Sequence, residues 1–217
     1  MKKNIIKYKI EEGYIFKIDN FLEKKFLKKI INEIKILENT NETKKFFFKE
    51  KLIKKEYNNF KTYLNSQNKL VKFISSKNFK KKIQNLLNIK NVIYPDKSEQ
   101  FSGFSISQKD SYLRPHVDFN YNNNLKKFRS INLLIYFNHN WKKDVGGNLN
   151  IYNRSNNKKI YSFLPKINRC IIFLTNKYSV HGFDKIKKNK KRISFNFYYY
   201  TKENLSYDEN IHKTIWR

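Results

Sequence analysis

The run Leu133-Leu134-Ile135-Tyr136-Phe137 sets the reading of this chain. It is apolar, of strand length, bounded by polar residues, and far too short to cross a bilayer. Runs of similar character lie on both sides of it. From 91 to 201, short segments rich in Ile, Phe, Tyr and Leu alternate with polar turns such as Gly146-Gly147, Asn156-Asn157-Lys158 and Asn189-Lys190-Lys191. Short strands at that spacing predict an all-β sandwich or barrel.

Toward the N-terminus the texture is helical. Residues 14–18 predict a short strand, after which Asp19 or Asn20 can cap a helix over 22–37. There Phe26, Leu27, Ile30, Ile31, Ile34 and Leu37 recur at helical spacing with lysines between them. A polar loop is expected at 39–43, and further helices over 57–73 and 79–87. The last of these has Phe79, Ile83, Leu86 and Leu87 on one stripe. Residues 203–217 are polar apart from Ile215 and Trp216, which are expected to tuck back onto the body. The expectation is one domain over 1–217: helical support at 1–90, a β core at 91–203 and a tail at 204–217.

The chain has 217 residues, enough to bury a sizeable core, and 17% of them are aromatic, which argues for a packed globule over a disordered chain. Its formal charge is +29, from 47 Lys+Arg against 18 Asp+Glu. Such an excess points to nucleic acid or another polyanion as a partner. The competing reading is compositional, since Lys, Asn and Ile are abundant throughout. Cys170, the only cysteine, is expected to be an inert buried thiol between apolar neighbours. No apolar stretch of signal-peptide length follows the first lysines, so no membrane insertion is expected and a cytoplasmic location is the default.

The chemistry is concentrated in few residues. In Arg114-Pro115-His116-Val117-Asp118-Phe119, His116 and Asp118 lie two apart. On an extended backbone they project to one face. His181 follows the buried-looking run 170–174, in Ser179-Val180-His181-Gly182. Two imidazoles and one carboxylate on one face of an octahedral ion leave positions open for other ligands. Beyond His181, alternation in Arg192-Ile193-Ser194-Phe195 puts Arg192 and Ser194 on one face. A guanidinium fork beside a hydroxyl suits a carboxylate. His139, in a turn beside Trp141, and His212, in the tail, are expected to be solvent-exposed.

These pieces, in this order, resemble the prolyl-4-hydroxylase-type branch of the Fe(II)/2-oxoglutarate oxygenases. The matching segments are Tyr112 to Asp118, Ser130 to Trp141, Gly146-Gly147-Asn148-Leu149, Pro165 with Asn168-Arg169 and Ile172-Phe173, Ser179 to Gly182, and Arg192-Ile193-Ser194. Ile18-Asp19-Asn20-Phe21-Leu22 before a helix is similar to that branch's strand-to-helix passage.

The resemblance implies a mainly β fold with N-terminal helices (α+β): a double-stranded β-helix, or jelly roll, with helices packed on its major sheet. It implies Fe(II) held by His116, Asp118 and His181, with 2-oxoglutarate, O2 and ascorbate as cofactors. Arg192 and Ser194 would receive the distal carboxylate of 2-oxoglutarate. Tyr136 would reach the co-substrate, although its strand's alternation also permits a core role. The activity implied is hydroxylation of a C–H bond with release of succinate and CO2. The substrate is expected to be a prolyl or other protein residue, the alternative being a small metabolite or saccharide-linked group. Relatives carry a tyrosine about ten residues before the first ligand histidine; 103–107 offers none, leaving Tyr112 or another group to replace it. The reading from another class is a basic, non-catalytic nucleic-acid-binding jelly roll that stacks bases on Tyr198-Tyr199-Tyr200.

Overall fold

The structure, a computed structural model, describes residues 4–40, 44–48, 51–98 and 100–217. In chain order its first elements are β1 (Asn4–Lys9), β2 (Tyr14–Asp19), α1 (Lys24–Leu37), β3 (Lys44–Phe48), β4 (Lys51–Tyr57), α2 (Asn65–Ser75) and α3 (Lys77–Leu87). Next come β5 (Tyr94–Pro95), β6 (Gly103–Ser107), β7 (Leu113–Val117), β8 (Tyr121–Asn122), β9 (Lys127–Tyr136) and β10 (Leu149–Tyr152). The last are β11 (Lys159–Phe163), β12 (Arg169–Leu174), β13 (His181–Phe183), β14 (Arg192–Thr201) and β15 (Ile215–Trp216). With 37% strand against 21% helix, the protein is mainly β, as the sequence implied.

The strands form two sheets. The larger has the order β1-β2-β12-β9-β14-β6-β4-β3, with β5 added on β14 and β8 on β9. The smaller has the order β11-β10-β13-β7-β15. Alternation along the central strands decides what each face holds. On β14, Ile193, Phe195, Phe197 and Tyr199 enter a hydrophobic cluster with Ile131, Leu133 and Ile135 of β9. The same cluster takes in Ile30 and Ile34 of α1, Leu70 and Ile74 of α2, and Ile83 of α3. On the opposite face, Ile171 and Phe173 of β12 and Tyr136 of β9 meet Leu149 and Ile151 of the smaller sheet. Arg192, Ser194, Asn196 and Tyr198 fall on that inner face and line a cavity instead of a core.

Several expected boundaries shift for identifiable reasons. Asp19 does not cap α1: its carboxylate is bonded by Arg169 Nε at 2.6 Å and Nη2 at 2.9 Å, tying β2 to β12. The helix begins at Lys24 with no side-chain cap. The helix expected over 57–73 starts only at Asn65, because Tyr57 closes a strand and a short 3-10 turn intervenes. Glu33 of α1 accepts from the backbone N–H groups of Ser66 and Gln67, both at 2.9 Å, and so satisfies the start of α2. The N-terminal ninety residues are not purely helical support, since β1, β2, β3 and β4 all extend the larger sheet. The expected loop at 39–43 lies partly outside the described residues. Cys170 is fully buried, as expected. No described helix is long and apolar enough to cross a membrane.

Candidate metal centre and carboxylate site

β7 and β13 are antiparallel neighbours with His116 and His181 in direct register. Directly opposed residues present their side chains on one face, and the two imidazole centroids lie 4.5 Å apart. The close approach depends on Gly182, where an added Cβ would meet the Leu113 carbonyl oxygen at 2.5 Å. Asp118, just past the end of β7, completes the group. The ligand atoms of His116, Asp118 and His181 all lie within 4.8 Å of one another, and all three residues are buried. Each histidine Nε2 is 3.5 Å from an Asp118 carboxylate oxygen.

The surroundings prepare these atoms as donors to a cation. His116 Nδ1 lies 2.9 Å from the Arg114 carbonyl oxygen and His181 Nδ1 lies 2.8 Å from that of Ser179. A backbone acceptor there requires the proton on Nδ1 and leaves each Nε2 lone pair facing the centre. Burial, with the neighbouring His116, lowers the His181 pKa to about 4, so that ring is neutral near pH 7. Burial pushes the Asp118 carboxyl up, but Arg129, His181 and His116 together hold it well below the ordinary value. A buried carboxylate with two imidazoles is a donor set that fits a divalent iron. Cis ligand atoms at about 2.1 Å from an ion sit roughly 3 Å apart, so the observed spacing needs only small adjustment.

Arg129 and Asn132 were not singled out in the sequence. Asp118 Oδ2 accepts from Arg129 Nη2 at 2.9 Å and from Asn132 Nδ2 at 2.7 Å, which orients the carboxylate. Arg129 is itself sandwiched, its guanidinium 3.7 Å from the centre of the Tyr198 ring and 4.6 Å from that of Phe119. One signal was available. In a chain that uses lysine almost everywhere, Arg129, Arg169 and Arg192 are buried, while no described lysine is. Arginine's rigid, weakly hydrated fork suits buried ion pairs better than an ammonium.

Arg192 opens β14 inside the same cavity, whose volume is about 130 Å³. Its Nε donates to the Gly147 carbonyl at 2.8 Å and its Nη2 to the Tyr136 hydroxyl at 3.3 Å. Gly147 has φ +71°, and a Cβ there would crowd Arg192 Cδ and Trp141 at 3.2 Å. The glycine turn therefore sets the arginine's position. Burial pushes the Tyr136 phenol up, so it remains a neutral hydroxyl able to donate. Ser194 pairs with Tyr136 across the strands and lines the cavity too.

Other expected residues fall elsewhere. Tyr112 is 46% exposed and does not line the cavity, where β6 presents Ser105. His139 is exposed, whereas His212 is half-buried with Nε2 3.1 Å from Asp208. Tyr199 and Tyr200 are fully buried and Tyr198 stacks on Arg129, so the tyrosine run offers no platform for bases.

A β sandwich with two imidazoles and a carboxylate converging on its inner face, and a buried arginine deeper in the same cavity, defines a non-haem metal-dependent oxygenase scaffold. Residues 102–200 match the family model of the 2OG-Fe(II) oxygenase superfamily. That segment runs from just before β6 into the last residues of β14 and carries His116, Asp118, His181 and Arg192. The similarity points to Fe(II), 2-oxoglutarate and O2 as the cofactors.

Solved structures share the fold. The prolyl hydroxylase from Trichoplax adhaerens, in complex with a hypoxia-inducible-factor peptide fragment, superposes with TM-score 0.63 at 16% identity, covering 86% of this chain and 83% of that one. The viral collagen prolyl hydroxylase of Paramecium Bursaria Chlorella virus-1, in its 2OG complex, gives 0.57 at 16% identity, covering 88% and 98%. The non-heme alpha ketoglutarate dependent epimerase SnoN from nogalamycin biosynthesis gives 0.61 at 8%, covering 86% and 78%. No curated protein matches the chain in sequence.

Proposed function

We propose that His116, Asp118 and His181 hold the Fe(II), and that Arg192, Tyr136 and Ser194 receive the distal carboxylate of 2-oxoglutarate. The enzyme then hydroxylates a C–H bond in a residue of a polypeptide, prolyl residues being the leading candidates. One oxygen atom of O2 goes to the substrate and the other to succinate, with loss of CO2. The observation that carries this reading is the convergence of the three ligand atoms in one buried cluster. When bound, iron with its co-substrate supplies the oxidising chemistry; the protein supplies geometry and a dry cavity.

Arg129 and Asn132 both bond Asp118 Oδ2, so Oδ1 would be the oxygen available to hold the metal. Arg192 spends two donors on Gly147 and Tyr136, which lock the rest of its fork in the cavity. The peptide-bound Trichoplax enzyme and the viral collagen prolyl hydroxylase favour a protein substrate for this fold. The epimerase shows that the fold also hosts other reactions, so the site must carry the assignment.

The test is a pair of variants. Asp118→Ala is expected to abolish iron-dependent succinate formation; normal turnover would remove Asp118 from the metal site. Arg192→Ala is expected to weaken 2-oxoglutarate binding about tenfold or more, as loss of charge-assisted bonds implies, with iron binding kept. Unchanged co-substrate affinity would remove Arg192 from its role.

A further inference from the structure

The apolar stripe of α3 is only partly covered by the sheet beneath it. β1 is the outermost strand of the larger sheet, with Ile5 opposite Ile18 and Lys7 opposite Phe16 of β2. Phe16 and Ile18 belong to the core on the helix side, so Ile5 and Lys7 share that face, away from the metal cavity. Where another apolar residue would close the gap to α3, the strand offers an ammonium. The gap is a cavity of about 450 Å³, with Ile18, Phe21 and Ile172 on one side and Phe79, Ile83 and Leu86 of α3 on the other. Ile5 lines it too and is 49% exposed.

Leu86 also lines a second cavity, of about 780 Å³, at the C-terminal end of α3. Its character is different. Lys7, Tyr14, Lys90, Asn91, Asn204 and Tyr207 bring ammonium, phenol and amide groups to it. Lys7 Nζ lies 3.4 Å from the centre of the Tyr14 ring, which holds the ammonium at this end. Asn91 Nδ2 is engaged by Glu203 Oε2 at 3.1 Å. Lys7, Lys82 and Lys90, by contrast, have no carboxylate partner among the described residues. The two cavities meet at Leu86 as one trough that grades from apolar to cationic.

We infer that this trough binds a free fatty acid, with the alkyl chain along α3 and the carboxylate between Lys7 and Lys90. The site is separate from the metal cavity and independent of the oxygenase reading. Volume argues against a peptide. One turn of helix, roughly 10–12 Å wide with a pitch of about 5.4 Å, takes up roughly 400–600 Å³. A single turn would fill the apolar half. An extended segment would bring backbone N–H and C=O groups that apolar walls leave unbonded. A methylene chain brings none and gains by leaving water. Each cavity falls within the range of roughly 300–1,000 Å³ usual for small-molecule sites. The carboxylate then meets ammonium groups that have no other ion-pair partner.

The experiment titrates monomeric laurate into the purified full chain by calorimetry, near physiological ionic strength, where non-specific attraction to the basic surface is screened. Saturable binding of one laurate per chain is expected, with decanoate about tenfold weaker for the loss of two buried methylene groups. Dodecanol, which lacks the anion, is expected to bind about tenfold more weakly than laurate. Ile5→Glu should raise the laurate Kd about tenfold by setting a carboxylate beside the chain. The double variant Lys7→Ala, Lys90→Ala should raise it by about the same factor and leave the dodecanol Kd in place. All three positions are exposed, so the thermal midpoint is expected to hold. No saturable laurate binding, several equivalent laurates per chain, or an unchanged laurate Kd in either variant would overturn the proposal. Capture by phosphatidylglycerol vesicles without binding of monomeric laurate would overturn it as well, and would mark a membrane-docking surface instead.

Discussion

Arg192→Lys separates geometry from charge at the proposed carboxylate site. The guanidinium bonds the Gly147 carbonyl and the Tyr136 hydroxyl together, and one ammonium cannot reproduce that fork. The variant is expected to weaken 2-oxoglutarate binding about tenfold, read by calorimetry with a redox-inert metal in place of iron. Wild-type affinity would show that charge alone suffices. Arg129→Met should weaken metal binding while the fold persists, because Asp118 Oδ2 would keep only its bond from Asn132; unchanged metal affinity would make Arg129 a purely structural residue. At this scale the sequence was informative where chemistry depends on local spacing. His116 and Asp118 share a strand end, and Arg192 and Ser194 share a strand face. The bond from Arg129 to Asp118 was hidden because strand separation and side-chain reach decide it.

Among the elements, the pair joining β2 to β12 offers a test independent of function. Burial raises the Asp19 carboxyl, but the hydrogen bond and charge of Arg169 outweigh that and leave its pKa below the ordinary 3.8. A carboxyl depressed in the folded state adds stability above its unfolded pKa, and that increment is lost as pH falls through the folded value. Asp19→Asn is therefore expected to cost about 1–2 kcal/mol at neutral pH, reduced for partial exposure. In urea melts the difference should shrink as pH falls below 3.8 and vanish only below the lower folded value. A pH-independent difference would contradict the assignment.

The central strands were legible because β9 and β12 carry apolar runs of strand length and β14 alternates apolar with site-facing residues. The β3–β4 hairpin was not, because lysines on both sides of the chain gave no alternating face to read. The start of α2 was missed for a related reason: its backbone donors are satisfied by Glu33 from another helix.

For the whole molecule, the charge of +29 dominates behaviour away from the site. Weak association with polyanions is expected at low salt and should disappear as the Debye length shrinks to about 8 Å near physiological ionic strength. Asp118→Ala should leave that binding unchanged, as measured by salt-dependent retention on heparin. Coupling between retention and the triad would tie the charge to catalysis.

The most direct measurement is an anaerobic titration of the purified protein with Fe(II) and 2-oxoglutarate, followed in the visible range. A weak charge-transfer band that requires both additions and is lost in His181→Ala is the expected result. No band in the wild type, or an undiminished band in His181→Ala, would contradict the metal centre assigned here.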